Sequence, residues 1–242
     1  MPAVIKQFRL VTRRRDVSSG EFTRCWPRAV ACAALAPVGP RPLRATLCSV
    51  LPGYGSPGVD AEPRHDGVGI EWFADTEHLE RFQDWLTTRR ARLLRQQTER
   101  VVDPDASPTV LAEECVLRGA DWLERRWQEG GQRLKHLALA VRAHGLTPAD
   151  FSARWRNHAG QLRSSVGRSV AIPAEARGAA YVQNHPLPRG GVDWAYDALN
   201  EVYFDDAQGL RTRVDWLHAN LGDGDELFGR SWFLAVRETP IL

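Results

Sequence analysis

A chain of 242 residues is long enough for one large domain or two small ones of about 110 residues each. Its 43% hydrophobic content is ordinary for a globular protein, and no run approaches the ~18 apolar residues of a membrane helix. The first residues run into a strand-like pattern rather than a signal peptide, so a cytoplasmic protein with no membrane contact is expected.

The formal net charge of +2 hides a skew: of 32 basic residues only Lys6 and Lys135 are lysine. This has the look of GC-rich codon usage. The arginines are interleaved with 30 acids, and the densest run is Arg13-Arg14-Arg15, so a solvated face is expected and nucleic acid is not an expected partner. Cys25, Cys32, Cys48 and Cys115 have no C-x-x-C spacing and read as reduced, structural thiols. The histidines at 65, 78, 136, 144, 158, 185 and 218 form no H-x-x-x-H or H-E-x-x-H pattern, and no nucleotide-binding glycine motif is present. The sequence therefore predicts neither a metal nor a nucleotide cofactor.

In chain order, the first strand is Val4 to Arg13. Ser18-x-x-Glu21 then forms a capping box, and Phe22 and Trp26 share one helix face by their i, i+4 spacing. A second strand covers Ala45 to Pro52, and residues 53–65, rich in Gly and Pro, form a loop able to lie over a pocket. A third strand runs from Asp66 to Phe73, a helix follows through Leu79 and Asp84-Trp85-Leu86, and a last strand covers Glu113 to Leu117. Residues 118–132 read as a short amphipathic connector helix ended by Gly130-Gly131, with Trp122 and Trp127 packing on a module.

The same order then repeats over residues 133–242. Lys6 falls on Lys135, Leu10 on Leu139, Arg13 on Arg142, Ser18 on Thr147, Glu21 on Asp150, Phe22 on Phe151 and Trp26 on Trp155. Asp66 to Phe73 lies over Asp197 to Phe204, and the last strand of the second copy covers Glu238 to Leu242. Each copy reads β-α-β-β-α-β, the ferredoxin-like arrangement, so a tandem duplication of residues 1–117 and 133–242 is expected.

The second copy carries Phe151-x-x-x-Trp155-x-x-His158, Tyr181-Val-Gln-Asn-His-Pro186 and Tyr196-Asp197-x-x-x-Glu201-x-x-Phe204. These residues resemble the EthD family of the dimeric α/β-barrel superfamily; the first copy resembles it more weakly. The resemblance implies an α+β fold in which two antiparallel sheets pair into a barrel. It also implies relatives among polyketide cyclases, decarboxylases, dehydratases and cofactor-free monooxygenases. In this chain both halves are expected from one polypeptide, as a monomer holding an intramolecular pseudo-dimer or a homodimer of it. Haem relatives exist, and a lone histidine could ligate iron.

The copies differ where chemistry needs side chains. His158, Asn184, His185 and Glu201 fall on Ala29, Val50, Leu51 and Ile70 of the first copy. His158 shares the helix face of Phe151 and Trp155 and is a candidate acid or base, the plainer reading being a histidine bonded to a carbonyl near the helix end. His185 is a second candidate, or a strand-end turn contact; Tyr181 and Gln183 alternate onto its sheet face, with Asn184 on the other as a donor to an oxyanion. Glu201, in mid-strand, is either a proton shuttle or half of an ion pair with a nearby arginine. Tyr181, Trp155, Tyr203, Trp26 and Trp72 are candidate substrate contacts or core. Asp66 and Asp197 read as turn or capping residues. Taken with these residues, the resemblance implies a cofactor-free lyase or isomerase of bacterial secondary metabolism, of cyclase or dehydratase type, on an aromatic or polyketide-like substrate. A cofactor-free monooxygenase and a non-catalytic binding module are the alternatives.

Overall fold

The computed structural model describes residues 4–30, 32–54, 65–157, 162–163, 169–220 and 226–242. They form two compact units. The first comprises Met1–Val50, Arg64–Glu114 and Glu238–Leu242, and the second Leu51–Pro63 and Cys115–Arg237.

The first unit contains β1 (Ile5–Val11), α1 (Ser19–Val30), β2 (Arg44–Val50), β3 (Gly67–Phe73), α2 (Thr76–Thr87), α3 (Arg89–Glu99) and the start of β4 (Thr109–Arg118). β1 lies between β3 and β4, antiparallel to both, and β2 pairs with the far side of β3. In the second unit α4 (Ala120–Glu129) is followed by β5 (Arg133–Arg142), α5 (Pro148–Arg156) and a two-stranded piece, β6 (Leu162–Arg163) with β7 (Ser169–Val170). β8 (Ala180–Pro186), β9 (Ala198–Phe204), α6 (Ala207–Asn220) and β10 (Phe228–Pro240) complete it. β9 is flanked by β5 and β8, antiparallel to each. β4 and β10 each contribute residues to both units, and the hydrogen-bonded strand order β1-β3-β2-β10-β5-β9-β8-β4 closes on itself. This is the connectivity of an α+β barrel made from two ferredoxin-like β-α-β-β-α-β repeats, the class the sequence predicts.

Matched residues do the same local work in each unit. The Ser18 hydroxyl accepts from the Glu21 amide at 3.2 Å, and the Thr147 hydroxyl from the Asp150 amide at 3.1 Å. In the second helix the return arm of the box goes to the hydroxyl instead of the cap amide, because Thr147 also donates to the Asp150 carboxylate at 2.7 Å. Phe22 stacks on Trp26 at 5.8 Å and Phe151 on Trp155 at 5.9 Å, one turn apart on a buried helix face. Asp66 accepts from the amide and guanidinium of Arg13, and Asp197 likewise from Arg142, at 2.9 Å and 2.5 Å. These aspartates tie the end of one strand to the start of its neighbour, a longer-range role than a turn cap.

Three features depart from the sequence reading. α3 is an additional helix; its sequence RRARLLRQQTE lacks a clear apolar stripe, and Ala91 is its only fully buried residue among those described. β4 starts at Thr109 rather than 113, and β10 starts at Phe228 rather than 238. In β10 the buried positions Trp232, Leu234 and Val236 alternate as a strand should, and the alternation continues into Glu238, the point from which the sequence counts the strand. Most of the loop over 53–65 lies outside the described residues. No helix among the described residues is long and apolar enough to cross a membrane.

Replacing Thr147 by Ala removes one cap acceptor and is expected to cost about 1 kcal/mol. Urea unfolding checks it: the midpoint should fall with the slope unchanged.

Candidate functional site

The ladder between β5, β9 and β8 sorts the second unit's side chains onto two faces. Lys135 is opposite Tyr203, Leu137 and Val182 are opposite Glu201, and Asn184 is opposite Leu199. Directly opposed residues point the same way, so Lys135, Glu201, Tyr203, Val182 and Asn184 share one face. Tyr181, Gln183, His185 and Asn200 share the other.

On the first face four polar side chains converge out of solvent. Lys135 and Glu201 form an ion pair at 2.5 Å with both side chains 0% exposed. The Tyr203 hydroxyl donates to the same carboxylate oxygen at 2.9 Å, and the Lys135 ammonium lies 5.1 Å from the Tyr203 ring. The Asn184 amide nitrogen donates to the other carboxylate oxygen at 3.0 Å and to the Leu199 carbonyl at 3.1 Å. The Asn184 carbonyl oxygen is buried and has no partner. An amide acceptor left unsatisfied beside an ion pair costs on the order of 1–3 kcal/mol, so its natural complement is a donor brought by a ligand or water. Trp122, from α4, closes one side: its ring is 5.9 Å from Tyr203, and its indole N–H donates to Asp205 at 3.0 Å.

On the opposite face the polar groups bond one another. His185 Nε2 is 3.1 Å from Gln183 Oε1, and its Nδ1 is 3.4 Å from the Ser152 hydroxyl. The Gln183 amide donates to the Trp155 carbonyl at 3.1 Å and to the Tyr181 hydroxyl at 3.3 Å, and that hydroxyl donates to Asn200 at 3.4 Å. The His185 ring packs at 4.4 Å on Trp155 and is 2% exposed. Burial, helped by the nearby Arg156 charge, pushes His185 down to about 4 and leaves it neutral at pH 7. Burial pushes the Tyr181 phenol up, against the Gln183 hydrogen bond. On β5, His136 is also buried with both ring nitrogens unpartnered, and burial followed by repulsion from Arg213 drives it well below the ordinary histidine value.

The structure thus brings together Asn184, Glu201 and Tyr203, and separately His185, Tyr181 and Trp155. His158 lies outside the described residues. Glu201 pairs with a lysine rather than the arginine anticipated for it. Trp26 and Trp72 belong to the first unit: Trp26 sits in an apolar cluster with Val11, Phe22 and Leu47, and Trp72 donates its indole N–H to Glu114 at 3.2 Å. Sequence reasoning missed Lys135 as a member of the site. The signal was available, since the only two lysines of the chain fall on matched positions. Among the described residues no group of three or more His, Cys, Asp or Glu is placed to hold a metal ion.

No protein-family profile and no curated protein sequence matches this chain. Solved structures share its fold. An anthrone oxidase-like protein superposes with a TM-score of 0.50 at 12% identity, covering all of this chain and 94% of that one. A candidate monooxygenase from Lactobacillus acidophilus gives 0.45 at 7% identity over 100% and 95% of the two chains. Chlorite dismutase from Candidatus Nitrospira defluvii gives 0.45 at 9% identity over 100% and 93%. At such identities the likeness is one of fold alone.

Two outcomes follow from the buried groups. Glu201→Leu alone strands the Lys135 ammonium and should cost about 3–5 kcal/mol, whereas Lys135→Met combined with Glu201→Leu should recover most of that loss. Denaturant unfolding of the single and double variants measures the difference. For His185, the folded state holds the proton less tightly than the unfolded chain, so its contribution is complete above pH ~6.5 and fades as pH falls through about 4. Stability should drop by up to about 3 kcal/mol across that window, and His185→Gln should flatten the slope in unfolding curves taken from pH 7 to pH 4.

Proposed function

We propose that the chain is a cofactor-free enzyme, of the EthD branch of the dimeric α/β-barrel superfamily, that deprotonates an enolisable aromatic or polyketide-like ketone at the second unit's site. The observation that carries this reading is the unpartnered carbonyl oxygen of Asn184, buried within the Lys135–Glu201–Tyr203 cluster. It would accept from the hydroxyl of an enol or phenol. The Lys135 ammonium would offset charge growing on the neighbouring substrate oxygen, where low polarity makes such an effect large. Glu201 would take the proton from the carbon beside the carbonyl, and Tyr203, already donating to that carboxylate at 2.9 Å, would supply one to the product. The step needs no electron carrier. Tyr181, Gln183 and His185 would hold the shape of β8 and α5 from the other face.

The resulting enolate supports two outcomes. Cyclisation or dehydration, a lyase or isomerase step, is the reading we favour, in keeping with the EthD resemblance of residues 151–204. Attack of the enolate on dioxygen is the second; the name of the anthrone oxidase-like protein that shares the fold is what favours it.

Both share the proton abstraction, so the test targets it. The methylene protons of anthrone, an enolisable aryl ketone, should exchange in deuterated buffer faster with the protein than without. Glu201→Gln and Asn184→Ala should each slow exchange by about 100-fold. Exchange that ignores both substitutions would refute the assignment, and oxygen uptake with the true substrate would select the oxidative branch.

A further inference from the structure

The cluster around Lys135 has a counterpart in the first unit, built from different parts. Lys6, matched to Lys135, is also 0% exposed. It is directly opposite Trp72 in the β1–β3 ladder, as Lys135 is opposite Tyr203. Its ammonium lies 4.9 Å from the Trp72 ring and pairs with the Glu114 carboxylate. Trp72 donates its indole N–H to that carboxylate at 3.2 Å, as Tyr203 donates its hydroxyl to Glu201. In each unit, then, a buried ammonium lies near an aromatic ring, and that ring's polar tip bonds the carboxylate that pairs with the ammonium.

The parts that differ are informative. Glu201 is on β9, the third main strand of its repeat, where the first copy has Ile70; Glu114 is on β4, the fourth. The carboxylate has changed strands while the lysine has stayed. Polar groups continue along the same face of the first unit: Thr46, opposite Ile70, donates to the buried Glu238 carboxylate at 3.3 Å, and the Cys48 thiol lies 3.8 Å from the same oxygen. Glu114 is itself 19% exposed, so this cluster is less sealed than the one around Lys135.

We propose that the first unit carries its own ligand site, built on Lys6, Trp72 and Glu114, for the same class of molecule: an aromatic enol or phenol whose oxygen meets the ammonium and whose ring lies along Trp72. The proposal rests on the reading of the Lys135 cluster as a binding site. It revises the expectation that the first copy is chiefly a scaffold. With Val50 where the second copy has Asn184, the first site has no equivalent amide acceptor, and it should favour the anion over the neutral enol.

Titration of the full chain with anthrone by calorimetry tests this. Two molecules should bind per chain, falling to one in Lys6→Met with Glu114→Leu, a double substitution that removes both charges together so that none is left buried alone. A single site in the unaltered protein, lost on Lys135→Met with Glu201→Leu and kept in the Lys6 double variant, would overturn the second site and leave the proposed function standing. A single site lost only in the Lys6 double variant would do the reverse, and no binding at all would overturn both. Isotope labelling of the lysine side chains needs no substitution and gives one ammonium signal for each of the two lysines. Both should move on adding anthrone, and a Lys6 signal that stays fixed would count against the proposal.

Discussion

The Lys135–Glu201 pair sets the terms for the second unit. Removing two charges from water costs several kcal/mol per ion, and a contact of 2.5 Å repays it only if the remaining donors and acceptors are also met. Tyr203 and Asn184 meet them from β9 and β8, while the lysine comes from β5. Three strands must therefore stay in one register. A slip of one residue would carry every side chain of a strand to the opposite face, placing the ammonium among Phe151, Trp155, Val202 and Phe204. The ion pair thus adds little net stability over a well-packed apolar pair, but it penalises every alternative pairing of these strands.

The same alternation separates two kinds of polar network. On the helix-covered face His185, Gln183, Tyr181 and Asn200 satisfy one another and the Trp155 carbonyl, and the histidine is held neutral. A ring with both nitrogens occupied, packed at a tilt on Trp155 and far from its ordinary pKa, is suited to fixing α5 against β8. On the other face one acceptor is left over. A completed network has no further use for a partner, whereas one with a single unfilled acceptor beside an ion pair does, and this difference favours Glu201 and Asn184 over His185 in the proposed function.

Much of this was legible in the sequence, and the limits have physical causes. Capping pairs such as Ser18/Glu21 and Thr147/Asp150 act over three residues, and the Phe22/Trp26 and Phe151/Trp155 pairs over four, so local spacing finds them. Alternation along Tyr181-Val-Gln-Asn-His185 was enough to place Asn184 and His185 on opposite faces. It could not say that the carboxylate of Glu201 meets a lysine 66 residues away, because cross-strand partners depend on register, which single-strand periodicity does not encode. Nor could it recover α3, whose arginines mask the face that packs. The aspartates at positions 66 and 197 looked like turn residues because their arginine partners lie more than 50 residues earlier in the chain.

The choice of lysine at positions 6 and 135 bears on both units. Elsewhere the chain uses arginine for its ion pairs, as in Arg13–Asp66 and Arg142–Asp197, where the partly exposed guanidinium leaves its spare donors to water. A guanidinium buried against one carboxylate would leave several of its five N–H groups unmet, whereas an ammonium has three and can turn them. Satisfaction of its donors is therefore a reason for lysine at these two positions, although Arg133 and Arg213 are buried as well. It does not explain why there is a buried cation at all, since apolar residues of similar volume would serve stability as well or better. A duplicated chain that keeps its buried ammonium at both matched positions, and replaces the carboxylate from a different strand, is preserving the positive charge beside the aromatic ring. Under the proposed function that combination would receive an aromatic oxyanion, which would place the functional constant of both repeats on the first strand.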